Sequence, residues 1–201
     1  SYDRRWREGY LKKNRPVGEG HFDINRWTWI RKKKYWKNPI NIITPSDWMK
    51  QNVKKSYLMK KWPVYSIPNA IDIKKWKPVD KNLSRKTLKL PNELSLILFG
   101  STSGTKDYHK GFDLLEKSLE KLQNLDEKIG LVIFGEDEPK IKPNFKFPIF
   151  YLGFLRNSKS LIAAYSAADL VLIPSRVESF GQVASEANAC SCPVVAFNTS
   201  G

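Results

Sequence analysis

The chain has 201 residues, 41% of them hydrophobic, and a formal net charge of +15. That length can bury one good core, or one core and part of a second. No apolar run approaches the ~20 residues of a membrane-spanning helix, and the opening SYDRRWREGY has no signal-peptide core, so the expected location is cytoplasmic. The charge is uneven. Residues 1–90 hold 24 Lys and Arg against 7 Asp and Glu, whereas residues 91–201 hold 11 against 13. All seven tryptophans lie in the first part, Trp76 being the last. A basic, aromatic half therefore precedes an ordinary α/β half, and it calls for an anionic partner, a partner domain, or both.

Residues 1–38 show little periodicity. Trp6, Trp27, Trp29 and Trp36 alternate with Arg and Lys, and Arg31 to Lys34 is a basic run. A helix is expected from Asp23 to Trp36. It offers either a surface for anionic headgroups or nucleic acid, or a solvated helix whose aromatics pack against residues outside this sequence; the second is preferred. Asn41 to Thr44 reads as a short strand. Ser46 is a good N-cap for a helix running to about Lys60. Val64 to Ile67 is another strand, Pro68 to Asp72 a turn, and Trp76-Lys-Pro78 closes the segment.

Residues 79–92 are a linker with a short helix, Leu83 to Lys89. Leu94 to Phe99 is a buried strand ending at Gly100. The loop from Ser101 to His109 leads to Lys110-Gly-Phe-Asp-Leu-Leu115, which opens an amphipathic helix to about Leu122. Leu114, Leu115, Leu119 and Leu122 share one face of it. Strands follow at 129–134 and 147–152, ending at Gly135 and Gly153. Asn157 or Ser158 caps a helix from Lys159 to Ala167.

From Leu170 to Gly201 the chain reads strand, loop, helix of small residues, strand, the unit of a parallel α/β sheet. Two glutamates stand out: Glu178 in the loop after the strand, and Glu186 about one turn into the helix. Loops at the carboxyl ends of parallel strands are where such sheets bind ligands. The helix start suits a diphosphate through its free N–H groups and partial positive charge. Gly181 lets the backbone approach closely. Phosphates repel carboxylates, so hydroxyl donors are the natural partners of the glutamates. Cys190 and Cys192 are too close for a good disulfide and have no zinc-site companions, so small buried residues are expected.

Glu178-Ser-Phe-Gly181, then Glu186-Ala and Pro193-Val-Val-Ala196, resemble the signature of retaining GT-B glycosyltransferases of the family 4 type. The strand, "pS-W" helix and "IPN-x-ID" turn of residues 41–78 resemble the end of that family's N-terminal domain, with Ala70 where Gly is usual and Trp76 where Phe is usual. The resemblance covers roughly residues 39–201, and 1–38 more weakly. It implies an α/β, Rossmann-like, doubly wound parallel sheet, incomplete at both ends. Residues 1–78 would be the C-terminal part of the acceptor-side domain and hinge; residues 79–201 would be a truncated donor-binding domain. The chain is therefore expected to be a piece of a longer enzyme, inactive alone.

The resemblance also implies roles. Glu178 would touch the donor sugar and, with Lys110, form the catalytic pair. Gly100, Lys110 and Gly111 would make the donor-phosphate element, with Ser179, Phe180, Gly181 and Gln182 approaching sugar and diphosphate. Glu186 would hold the ribose hydroxyls, and Leu155, beside Phe154 and Arg156, would lie near the base. Many members carry an arginine just after the strand glycine. Here Ser-Thr-Ser-Gly-Thr stands there, with Lys106 the nearest cation. No cofactor and no metal are expected, because lysine and the helix dipole meet the diphosphate charge. The expected function is transfer of a hexose, with retention, from a nucleoside-diphosphate sugar to a saccharide or lipid-linked glycan acceptor. Peripheral contact with an anionic membrane would suit such an acceptor. The alternatives are a nucleotide-sugar epimerase on the same fold, and a nucleic-acid-binding module, which the absence of a basic stripe in the second half disfavours.

Overall fold

A computed structural model describes residues 3–101, 104–122, 128–141 and 143–200. The chain divides into two compact units, residues 1–69 and Ala70–Ser200.

The first unit holds α1 (Arg5–Glu8), α2 (Ile24–Tyr35), β1 (Ile42–Thr44), α3 (Asp47–Lys55) and β2 (Val64–Ser66). Asp23 caps α2 by accepting from the Arg26 N–H, and Ser46 caps α3 by accepting from Met49. β1 and β2 pair in parallel, Ile42 opposite Val64. The helix read from the sequence as running to Lys60 stops at Lys55. Ser56 is buried in extended backbone, and the Tyr57 N–H donates to the Trp6 carbonyl instead of continuing the helix. This places the Tyr57 ring 5.3 Å from Trp29, which is 7% exposed. The basic run of α2 lies over its own aromatics: Arg31 over Trp27, Lys32 over Trp36 and Lys33 over Trp29, each four residues apart on the helix.

The second unit holds α4 (Lys81–Thr87), β3 (Ser95–Gly100), α5 (Phe112–Leu122), β4 (Ile129–Phe134), β5 (Ile149–Tyr151), α6 (Ser158–Ala167), β6 (Leu170–Ile173), α7 (Gln182–Ala189) and β7 (Val194–Ala196). The sequence placed the division after Pro78, but residues 70–78 go with the second unit. Trp76 packs on Tyr165 and the Val79 N–H donates to Ser166 Oγ, both on α6. α4 starts at Lys81, two residues before the expected Leu83, because the Asp80 side chain accepts from the Leu83 N–H at 2.7 Å.

The five strands run in the order β5-β4-β3-β6-β7, all parallel. Leu96 and Leu98 of β3 and Val132 of β4 face Ile162 and Tyr165 of α6 and Ala187 of α7. Ile97, Phe99, Leu131 and Ile133 face Phe112, Leu115 and Leu119 of α5. Both faces of these strands are covered, so their sequences are continuous apolar runs rather than alternating ones. Leu96, Leu98, Leu131 and Ile133 are fully buried, each worth about 1.5–3 kcal/mol of transfer free energy. The side chain of Leu122, and residues Thr102, Ser103 and Gly201, lie outside the described residues. Cys190 and Cys192 are free thiols, both buried.

Asp169 ties the start of β6 to the start of β3. Its carboxylate accepts from the Leu96 N–H at 2.7 Å, from Arg85 at 2.7 Å and from Lys81. Arg85 is 4% exposed and also donates to the carbonyls of Ala167, Asn92 and Leu94. Burial works against the Asp169 charge, but these donors outweigh it and hold the carboxyl below the usual carboxylate range. No helix among the described residues is long and apolar enough to cross a membrane.

Candidate functional site

The strand order sets the location. β3 is laid first, β4 and β5 go to one side of it, and β6 and β7 to the other. The loops after β3 and β6 therefore diverge and leave a crevice at the carboxyl ends of the strands, the switch point where open α/β sheets bind ligands.

The loop after β3 carries Lys110. Asp107 accepts from the His109 N–H at 2.9 Å and starts a 3₁₀ turn, Tyr108–Lys110. Lys110 therefore closes that turn, rather than opening the following helix as the sequence suggested. Gly111 sits between the two in left-handed backbone, φ +70°, and a Cβ there would lie 2.0 Å from the Pro174 carbonyl oxygen. Only glycine allows both this conformation and this approach. The loop after β6 is strapped to the same turn. Arg176 makes a two-pronged bond to Asp113 at 2.6 and 2.7 Å, donates to the Tyr108 carbonyl at 2.7 Å, and lies 4.0 Å from the Tyr108 ring centroid. The Arg176 hydrogen bond and charge hold the Asp113 carboxyl below its ordinary value.

This strap brings Lys110 to Glu178. Lys110 Nζ donates to Glu178 Oε1 at 2.7 Å, and Ser175 Oγ donates to the same oxygen at 2.8 Å. The Glu178 N–H donates to Ser200 Oγ. α7 begins after Gly181, which is left-handed at φ +80° and has no side chain with which to cap the helix. Glu186, one turn in, accepts from Tyr165 Oη at 2.9 Å and from Gln182 Nε2 at 3.3 Å. Burial, then the Glu186 charge, push the Tyr165 phenol pKa up, so it stays a donor.

A cavity of about 530 Å³ opens here. Gly100, Ser101 and Lys110 line it from the β3 side, and Phe134 and Gly135 from the end of β4. Phe154, Leu155 and Arg156 line it after β5. Leu161 and Tyr165 of α6 and Gln182, Val183 and Glu186 of α7 complete the wall. A lysine, an arginine, a carboxylate and several apolar side chains thus share one cleft, the composition of a small-molecule site. Of the residues the sequence singled out, Gly100, Lys110, Leu155, Gln182 and Glu186 line the cavity, and Glu178 reaches it through Lys110. Gly111, Ser179, Phe180 and Gly181 lie outside the lining. Tyr165, Phe134 and Ser175 were not read from the sequence. Tyr165 lies on the predicted helix and Phe134 at a strand end, but neither has a motif of its own. Among the described residues, no three His, Cys, Asp or Glu side chains gather as a metal-binding group.

A doubly wound domain with a cleft at its switch point is an architecture that hosts many chemistries, so the fold alone names none of them. Sequence comparison narrows the choice. The family model described as glycosyl transferases group 1 matches residues 80–201, more than half the chain, and the chain belongs to that family. It is 32% identical over 149 residues to a D-inositol 3-phosphate glycosyltransferase of Xylanimonas cellulosilytica, covering 66% of this chain and 34% of the relative. An uncharacterized glycosyltransferase of Methanocaldococcus jannaschii is 30% identical over 173 residues, covering 80% and 43%. The chain thus spans less than half the length of these curated relatives. Among solved structures, sucrose-phosphate synthase from Thermosynechococcus elongatus superposes with a TM-score of 0.66 at 24% identity, covering 86% of this chain and 44% of that one. Anabaena HepE in complex with UDP-glucose gives 0.59 at 21% identity, covering 80% and 45%. These likenesses show the fold, an α/β architecture with parallel sheets shared with GT-B glycosyltransferases.

Proposed function

We propose that this chain carries the donor site of a retaining, family 4 type glycosyltransferase that moves a hexose from a nucleoside-diphosphate sugar to a saccharide or lipid-linked glycan acceptor. The observation that carries the reading is the cleft at the sheet's switch point, lined by Lys110 and Glu186, with Glu178 held 2.7 Å from Lys110. In this reading Glu186 accepts from the ribose hydroxyls and Glu178 from hydroxyls of the donor sugar. The apolar wall of Phe154, Leu155, Leu161 and Val183 receives the base. Lys110 meets the leaving diphosphate, and its ammonium stabilises charge that builds as the glycosidic bond breaks. The amides of Phe180 and Gly181, before α7 and outside the cavity lining, would serve as further donors to a diphosphate that reaches past Lys110. No metal and no protein nucleophile are assigned. A solved relative of the fold, HepE, is seen in complex with UDP-glucose, which supports a nucleotide-sugar donor.

Calorimetric titration of the chain with UDP, GDP and ADP, at two salt concentrations and beside Glu186→Ala, tests this. One nucleotide is expected to bind, and the variant to bind it about 1.5–3 kcal/mol more weakly through loss of a charged hydrogen bond. No binding by any of the three sinks the reading.

We also propose that the first unit rests on an anionic membrane, the setting of a lipid-linked acceptor. Arg31 to Lys34 are exposed on α2, a basic run of the kind that anionic headgroups attract. Changing Arg31 to Lys34 to serine is expected to weaken binding to phosphatidylserine vesicles; unchanged binding rules the contact out.

A further inference from the structure

We infer that Tyr165 is a positioning residue for Glu186, and that through it the site selects ribonucleotides over nucleotides lacking the ribose hydroxyls. The inference rests on the reading of Glu186 as the ribose ligand.

Tyr165 is fully buried, on α6. Its ring meets Phe134 edge-on, with centroids 6.1 Å apart at 84°, and it also packs on Trp76 at 6.3 Å. Held by two other aromatic rings, the phenol has one direction to point. Its hydroxyl donates to Glu186 Oε2 at 2.9 Å, across the gap between α6 and α7. Glu186 is half-buried and borders the cavity. Left to itself, a glutamate there would sample several rotamers and lose that freedom on binding. The phenol fixes it beforehand. A carboxylate offers about four acceptor sites; Tyr165 and Gln182 occupy two, leaving capacity for a diol. A phenol buried in the core needs only some acceptor. This one has found the glutamate that faces the cleft.

A purely structural phenol and a positioning phenol predict different ligand ratios. Calorimetry on wild type, Tyr165→Phe, Glu186→Ala and the double variant, with UDP, GDP, ADP and the 2′,3′-dideoxy form of each, separates them. Wild type is expected to prefer the ribo form of the nucleotide it binds. Tyr165→Phe should cut that preference roughly three- to tenfold, the value of one hydrogen bond, and leave affinity for the dideoxy form unchanged. In the Glu186→Ala background the phenylalanine should change nothing further. Because each ratio compares two ligands on one protein sample, partial unfolding cancels. Equal loss for both forms, or an unchanged ratio, overturns the inference while leaving the donor site standing. Failure of wild type to bind any nucleotide removes the donor reading and this inference with it.

Discussion

Lys110 and Glu178, 68 residues apart in the chain, meet at 2.7 Å between the loops that leave β3 and β6. Both are about three-quarters buried, with side-chain exposures of 26% and 23%. Without a ligand, the lysine therefore already has a counter-ion. On the proposed donor-site reading, a diphosphate would compete with that carboxylate, and its affinity would report the difference between two ion pairs. Lys110→Met is expected to weaken nucleoside-diphosphate binding about tenfold or more, the range of a charged hydrogen bond, and to leave binding of the uncharged nucleoside unchanged. Parallel titrations of diphosphate and nucleoside check this.

Gly111 and Gly181 both have positive φ, but only Gly111 is crowded. Gly111→Ala would place a methyl 2.0 Å from the Pro174 carbonyl oxygen, whereas at Gly181 the nearest atom is Ala184 Cβ at 3.8 Å. Gly181→Ala is expected to cost about 1 kcal/mol of stability, the conformational term alone. Gly111→Ala should cost about 3 kcal/mol or more, because two loops must move apart. Urea denaturation of both variants gives the comparison.

Asp169 makes stability pH-dependent. Its folded pKa lies below the unfolded value of about 3.9. The folded state therefore binds fewer protons in acid, and the stabilisation is complete above that value and lost as pH falls through the folded one. The stability gap between wild type and Asp169→Asn is expected to be full at pH 7 and 5 and to narrow as pH falls below about 4. Denaturation at pH 7, 5 and 3 measures it.

Cys190 and Cys192 are 2% and 3% exposed. Burial, then the Glu186 charge for Cys190 and the Asp169 charge for Cys192, push each thiol up to about 11. Thiolate is the reactive form, so both should resist iodoacetamide at pH 7.5 and label rapidly in urea. Mass spectrometry over time distinguishes this from exposed thiols.

The strands of the second unit were readable because parallel strands covered on both faces leave unbroken apolar runs; 129–134 falls on the predicted limits. Caps were readable where a side chain does the capping, as at Ser46 and Asn157. The end of α3 was not, because residues 56–60 are lost from the helix to tertiary packing of Tyr57 on Trp29. The motif residues Lys110, Glu178 and Glu186 could be singled out, but Ser175 and Tyr165, which hold the two glutamates, could not. Tyr165 is 21 residues from Glu186, and the two meet only once α6 and α7 pack side by side. Gly111 was assigned to phosphate binding by resemblance, while its crowding against Pro174 needs the loop after β6 in place.

The pairing between β3 and β6 has a mechanical consequence. β3 matches β4 over six residue pairs but β6 over only two, Ile97 with Leu170 and Leu98 with Val171. This is a thin seam down the middle of the sheet, with little backbone ladder to resist shear. It is riveted by ionic contacts at both ends: Asp169 with Arg85 and the Leu96 N–H where the strands begin, Lys110 with Glu178 beyond where they finish. A ligand gripped by Lys110 on one side and Glu186 on the other would bridge the seam as a third rivet, and the domain would be stiffest when its cleft is full.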